Sequence, residues 1–309
     1  MFEHILVPLD GSDLAESALP AASYLARVLG AKVTLVHIIE RGAQPKVHGE
    51  RHLTEEGEAA AYLEAVARTA FGGETAVACH VHTATTRGVA EGIVAHQDEL
   101  VPDLIVMCTH GRHGLRSVII GSMAQKVIGS GTTPVLLVRP DPKPERRSFE
   151  CRTVLAPVDA DRKHAAGLDA AVGLAAATGA RLLLLSVVPT PRRLSGQEAA
   201  TGRFMPRATR EVLTLTAEEF RSYHDREVAR IRAQGVNVTA EVLHGDTGSV
   251  IASSAEAHDA SVVVLGTHGT RGGNAFWSHS VGAEVQGKTK RPLLLVPVRE
   301  EKPPATREG

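Results

Sequence analysis

Three short blocks occur twice in this chain, in the same order. HILVPLDGSD (4–13) is matched by TVLAPVDADR (153–162), MCTHGRHG (107–114) by LGTHGTRG (265–272), and TPVLLVRP (133–140) by RPLLLVPV (291–298). Whatever one half folds into, the other half must fold into as well, so the duplication sets the architecture. In a chain of 309 residues each copy is long enough to bury roughly 68–70% of its unfolded surface without an added staple. The copies differ in length. Asp10 to Asp159 is an offset of 149 and Cys108 to Gly266 one of 158, so the second copy gains nine residues net between those points. The polar, turn-rich stretch PTPRRLSGQEAATGRFMPRATREV (189–212) is where the sequence places the gain.

Within each copy, β-branched and leucine-rich runs alternate with alanine-rich helical stretches, the pattern of a parallel sheet covered on both faces. Strands are expected near 4–9, 32–39, 76–82, 103–108 and 134–138, and again near 152–158, 181–188, 236–243, 260–265 and 292–298. First-copy helices are expected near 13–29, 54–70, 87–98 and 122–129. Ser12 is the expected N-cap and Gly30 the C′ residue of the first helix, which Pro20 should kink at a cost of about 3 kcal/mol. Thr216 and Glu219 have capping-box spacing at the start of the second copy's second helix, which should stop at Gly235. These readings divide the chain into a first domain at 1–140, a proline- and charge-rich linker at 141–151, a second domain at 152–299 and a mobile tail at 300–309.

Composition narrows the partners. A net charge of −1, with 43% hydrophobic and 22% charged residues, gives no general pull toward nucleic acid or an anionic membrane. MFEHILVPLDGSD lacks the basic start and long apolar run of a signal peptide, and LLLLSVV (182–188) is too short to span a bilayer. Three cysteines form no framework and suit a reducing compartment, so the expected location is cytoplasmic.

GAEVQGKT (282–289) has the spacing of a phosphate-binding P-loop. Alignment with the first copy puts Gly287, Lys288 and Thr289 after a helix and before a strand, where carbonyls and the negative helix end disfavour phosphate. A chance match in a helix-ending turn is the better reading. In a doubly wound sheet, ligands sit beyond the carboxyl ends of strands where strand order reverses. That principle brings Asp10 together with the Cys108-Thr109-His110-Gly111 turn and with Gly121-Ser122, which opens the last helix and offers free N–H groups to an anion. Each feature also has a plain structural explanation: Asp10 as a helix cap, Gly121-Ser122 as a helix start.

At these residues the sequence resembles the universal stress protein family, in its tandem-domain form, over nearly the whole chain. Nucleotide-binding members carry Gly, two residues, Gly, nine residues and Gly-Ser/Thr. The first copy reads Cys108-Thr-His-Gly111, nine residues, Gly121-Ser122; the second reads Gly266-Thr-His-Gly269, nine residues, His279-Ser280. The resemblance implies an α/β, Rossmann-like fold of two doubly wound five-stranded parallel sheets, each of order 3-2-1-4-5. It also implies an intrachain pseudo-dimer through the last strands, whose aliphatic edges need covering, with room for a further homodimer. It implies ATP, with or without Mg²⁺, as the bound adenine nucleotide, and a regulatory role in stress response exercised through a protein client. Carried over, it places Asp10 near the adenosine, the Ile38 backbone beside adenine, and Met107 and Cys108 under base or ribose. Gly111, Gly121, Ser122, Met123 and Ala124 line the phosphates. The second-copy counterparts are Asp159, Val187, Leu265, Gly266, Gly269 and Ser280. Cys108 adds a small thiol where the pattern has glycine, whereas His279 adds an imidazole at the helix opening; the first copy is therefore the expected site.

Fifteen histidines raise the question of metal, but no Cys/His set has zinc spacing, including His80 and His82 on one strand face and His110 and His113 near the turn. Cys108 is a redox candidate only if exposed and acidic, and Arg112 and Arg116 are surface-loop charges that either meet phosphate or are solvated. No nucleophile–base–orienter set is legible. A nucleotide-free interaction scaffold and a slow Mg²⁺-dependent ATPase remain the alternatives.

Overall fold

The structure is a computed structural model of the chain, and it describes residues 1–39, 46–47, 50–51, 53–83, 89–109, 122–130, 132–140, 148–159, 165–191, 204–268 and 280–298. The first copy contains β1 (His4–Pro8), β2 (Lys32–Ile39), a small separate antiparallel pair β3–β4 (Lys46–Val47 and Glu50–Arg51), β5 (Val77–Thr83), β6 (Leu104–Cys108) and β7 (Val135–Val138). Its helices are α1 (Leu19–Leu29), α2 (Glu56–Ala70), α3 (Val89–Leu100) and α4 (Ser122–Ser130). The second copy supplies strands β8 (Thr153–Pro157), β9 (Arg181–Val188), β10 (Val238–His244), β11 (Val262–His268) and β12 (Leu293–Val298). Helices α5 (Ala165–Thr178), α6 (Pro206–Arg232), α7 (Thr247–Ala257) and α8 (Val281–Lys288) complete it.

Strand order in the first copy is β5-β2-β1-β6-β7, and in the second β10-β9-β8-β11-β12, both 3-2-1-4-5. The strands HILVP, LIVMC and VLLV are apolar apart from His4 and buried on both faces, as a parallel sheet between helical layers requires. β7 and β12 then pair antiparallel, with Leu137 opposite Leu293, Leu136 opposite Leu294 and Val135 opposite Leu295. The last strand of each copy thus covers the other, and the two sheets form one of ten strands. Both core layers run across this seam: Leu136 and Leu294 belong to one, Leu137 and Leu293 to the other.

Local expectations meet mixed outcomes. Gly30 closes α1 in the left-handed conformation, φ 65°, and Gly235 follows α6 at φ 81°. Pro20 does not kink a helix. A 3₁₀ turn at Ala15–Ala18 precedes α1, and Pro20 lies in the first turn of α1, where its missing N–H is not needed. Ser12 is not the N-cap of α1, whose cap position is Ala18; its hydroxyl instead accepts from the Ala15 N–H, 3.3 Å, where the 3₁₀ turn begins. Thr216 is no cap: α6 begins at Pro206, and the Thr216 hydroxyl donates to the Val212 carbonyl one turn back, 2.9 Å. The extra length of the second copy therefore lies in a helix rather than in a loop. α6 has 27 residues against 15 in α2, and its added N-terminal turns are largely exposed, while burial resumes at Ala217, His224 and Ile231.

Candidate functional site

Strand order reverses at β1, which has β2 on one side and β6 on the other. The β1–β2 register ends at Pro8 opposite Val36, with one further bond from Leu9 N–H to Val36 O, 2.9 Å. Because backbone groups alternate sides along a strand, Ile38 presents its N–H and C=O on the same side as Val36, beyond the last paired residue of β1. That is the crevice into which Asp10 leads. One Asp10 carboxylate oxygen accepts from the Ser12 N–H at 3.0 Å and from the Ser12 hydroxyl at 2.6 Å, so the Asp10 loop is held in a defined turn. Gly11 sits in this turn at φ 86°, and a Cβ there would stand 2.9 Å from Leu53.

His37 is a residue that sequence patterns did not single out. Its buried ring spans from Leu9 O (Nδ1, 2.8 Å) to Leu53 O (Nε2, 3.0 Å), tying the crevice end of β1 to the chain entering α2. The matching residue in the second copy is Ser186, whose hydroxyl donates to Val158 O at 2.7 Å, the same structural position as Leu9 O. Ser186 is backed by His224 of α6, 2.9 Å. Since the serine proton is used on Val158, the His224 Nε2 carries hydrogen and donates. The two copies fasten the same carbonyl differently, a relation visible only once their strands are superposed.

On the β6 side, Met107 and Cys108 are both buried, and the Cys108 thiol donates to Thr109 O, 3.5 Å. Burial speaks against an exposed redox role for this thiol. Thr109 continues the ladder toward β7, its N–H donating to Val138 O at 2.8 Å. α4 starts at Ser122 on the face that also buries Ile38, Met107 and Ala124. The Ala124 side chain is core, so any contact with a ligand falls to its backbone. Ile38 itself is pressed by α3, where a Cβ on Gly92 would come within 2.8 Å of its Cδ1. Gly111, Gly121, Gly269 and His279 lie outside the described residues, as do His110, Arg112, His113 and Arg116; of Ser122 and Met123 only the helical backbone is described.

In the second copy Asp159 follows β8, and Val187 stands two residues beyond the last β8–β9 pair, Pro157 with Leu185. Leu265 and Gly266 lie in β11, paired with Leu295 and Val296. Gly167 of α5 has a packing reason to be glycine: a Cβ there would lie 2.8 Å from the Gly266 nitrogen, so helix and strand touch closely at this point. Ser280 is the N-cap of α8, its hydroxyl accepting from the Ala283 N–H at 3.2 Å. The first turn of α8 carries Glu284, whereas that of α4 carries no acid. The first-copy counterpart of Glu284 is Lys126, 3.9 Å from Glu91. The same helix position is thus basic in the first copy and acidic in the second, with Lys126 turned to Glu91 of α3 and Glu284 lying against Gly248 of α7.

The P-loop match lies where α8 ends and the chain turns into β12. Lys288 Nζ donates to Asp246 Oδ1 at 2.9 Å and Ser249 Oγ at 2.8 Å, buttressing the Asp246 cap of α7. Its role is helix-to-helix, not phosphate. His80 and His82 do stack on one face of β5, ring centroids 6.5 Å apart, yet no group of three potential metal ligands occurs among the described residues. Among the same residues no helix is long and apolar enough to cross a membrane.

The sequence profile of the universal stress protein family matches the chain twice, over residues 1–139 and 150–297. A universal stress protein of Methanocaldococcus jannaschii is 33% identical over 153 residues, 47% of this chain and 86% of that protein. Another from Thermus aquaticus is 34% identical over 145 residues, 45% of this chain and 100% of that protein. These relatives have about the length of one copy. A universal stress protein structure from Archaeoglobus fulgidus covers 96% of both chains at 17% identity and a TM-score of 0.60, which speaks to the tandem fold.

Proposed function

The chain belongs to the universal stress protein family, in tandem form, and from that premise we propose that it is an ATP-binding regulator of the stress response, with its nucleotide in the first copy. The observation that carries this reading is the convergence of Asp10, the Ile38 backbone and the Met107-Cys108 strand end around the point where strand order reverses, with the α4 N-terminus on the adjoining face. Asp10 would take hydroxyls of the ribose and Ile38 the adenine edge, over Met107 and Cys108. The α4 start, from Gly121 and Ser122 through Met123 and Ala124, would receive the phosphates together with Gly111. The residues present fit such a group: the first turn of α4 has no acid, whereas the first turn of α8 carries Glu284. This contrast also favours the first copy over the set Asp159, Val187, Leu265, Gly266, Gly269 and Ser280.

Mass spectrometry of small molecules released from gently purified protein would identify the ligand. Calorimetry with ATP then ranks the copies. Asp10→Ala is expected to weaken the tighter binding event by about tenfold or more, the value of a hydrogen bond to a charged group, while Asp159→Ala leaves it unchanged. Loss confined to Asp159→Ala would move the site to the second copy.

A further inference from the structure

The antiparallel seam places a basic residue of the first copy against the second copy at the ligand end of the first. Continuing the β7–β12 register two residues beyond Leu137 and Leu293 sets Arg139 opposite Arg291. The two arginines are unequally provided for. Arg291 donates from Nε to Glu256, 3.0 Å, and from Nη1 to Asp259, 2.7 Å. Glu256 is further occupied by the Thr289 hydroxyl at 2.8 Å and the Lys290 N–H at 3.3 Å. Arg139 has a buried Nη2 with no hydrogen-bond partner. Burial lowers its pKa, and the negative charge of Glu256, acting at a distance, opposes that effect. Arg139 as a whole is half-buried, but a buried donor left without a partner is costly unless something else satisfies it.

The position of Arg139 indicates what that is. Strand residues alternate between faces: Leu136 packs in one core layer, Val135 and Leu137 in the other. Arg139 follows Leu137 onto the face that carries Ala124 and Val127 of α4. It stands at the carboxyl end of β7, beside Thr109, whose N–H binds the carbonyl of Val138. α4 starts at that same end of the sheet, so a guanidinium with an unsatisfied donor and the positive end of a helix dipole lie toward the same end. Neither satisfies the other; an anion satisfies both. The pseudo-symmetric corner of the second copy differs, since the same register sets Pro297 opposite Thr133 there.

We propose that Arg139 binds the terminal phosphates of a polyphosphorylated adenine nucleotide held in the first copy, and thereby selects for polyphosphate over the bare nucleoside. The inference rests on the nucleotide reading of the first copy and adds to it a ligand outside the glycine-containing motif, at a corner that the second copy helps to build. Its test is an affinity ratio. Wild-type protein, Arg139→Gln and Arg139→Lys are titrated with ATP and with adenosine at fixed salt, after circular dichroism has shown that each is folded. Arg139→Gln is expected to lose about ten- to a hundredfold in ATP affinity and nothing in adenosine affinity, with Arg139→Lys intermediate. Equal losses for both ligands, or no loss for ATP, overturn the proposal while leaving nucleotide binding intact. If wild-type protein binds neither ligand, the nucleotide reading itself fails, and thermal stabilisation by tripolyphosphate decides for Arg139. Stabilisation lost in Arg139→Gln sustains an anion site at this corner, and absence of stabilisation in the wild type removes it.

Discussion

Asp246 shows how a single carboxylate ties local structure to solution conditions. It caps α7, and hydrogen bonding from the Ser249 hydroxyl, from Lys288 and from the Ser249 N–H holds its pKa well below the ordinary carboxylate range. A depressed carboxylate pKa adds stability above the unfolded-state value, roughly pH 4, and that contribution is lost as pH falls toward the folded-state value. Asp246→Asn keeps an acceptor at the cap but cannot titrate. Denaturant titrations from pH 6 down to pH 2 are therefore expected to show a shallower acid loss in Asp246→Asn than in the wild type; parallel curves would contradict the assignment. Lys288 belongs to the same local network, which is why the apparent P-loop dissolves on inspection. Spacing alone matched a pattern whose chemistry depends on a strand before the helix, and here the strand comes after.

The helices carry most of what sequence did and did not disclose. Strand identities and the two glycine stops were legible because parallel strands buried on both faces need unbroken apolar runs and a left-handed stop favours glycine. The length of α6 was not. Its opening turns are mostly exposed, so no apolar stripe marks them, and Thr209, Thr214 and Thr216 each donate to the carbonyl four residues earlier, using residue types more often found in caps. At the site, Asp10 and the ends of β2 and β6 followed from strand order. The Lys126–Glu284 difference is readable from the alignment of the copies, whereas the His37 bridge and the unsatisfied Arg139 donor depend on contacts between distant segments and leave no local signature. Close helix packing gives a further test. An added Cβ at Gly167 meets the backbone of Gly266, whereas one at Gly248 meets the Glu284 side chain. Gly167→Ala is expected to cost about 1–3 kcal/mol. Gly248→Ala is expected to cost a comparable amount, because the Glu284 Cβ, 2.6 Å from the added carbon, is fixed to the α8 backbone and cannot turn aside. A near-neutral result for either variant in urea melts would mean that the contact it probes is looser than described.

At the level of the molecule, the seam between β7 and β12 makes two half-sheets into one cooperative sheet. The pairing is intramolecular, so its strength does not depend on how many other molecules are present. The thermal midpoint should stay constant over a hundredfold range of protein concentration. A midpoint that climbs with concentration would reveal a further self-association contributing to stability. The joined sheet also turns the carboxyl ends of the two copies' strands in opposite directions, so each crevice borders the amino ends of its neighbour's strands.

The same seam bears on inheritance. When two identical chains meet across a twofold axis, every substitution appears twice, and a change that improves one crevice is imposed on the other. A chain that encodes both partners is released from that rule. Arg139 faces Arg291 at one end of the seam while Thr133 faces Pro297 at the other, and Lys126 in one copy answers Glu284 in the other. These are differences that a self-pairing single-copy protein could not keep, because there each position would have to serve both crevices at once.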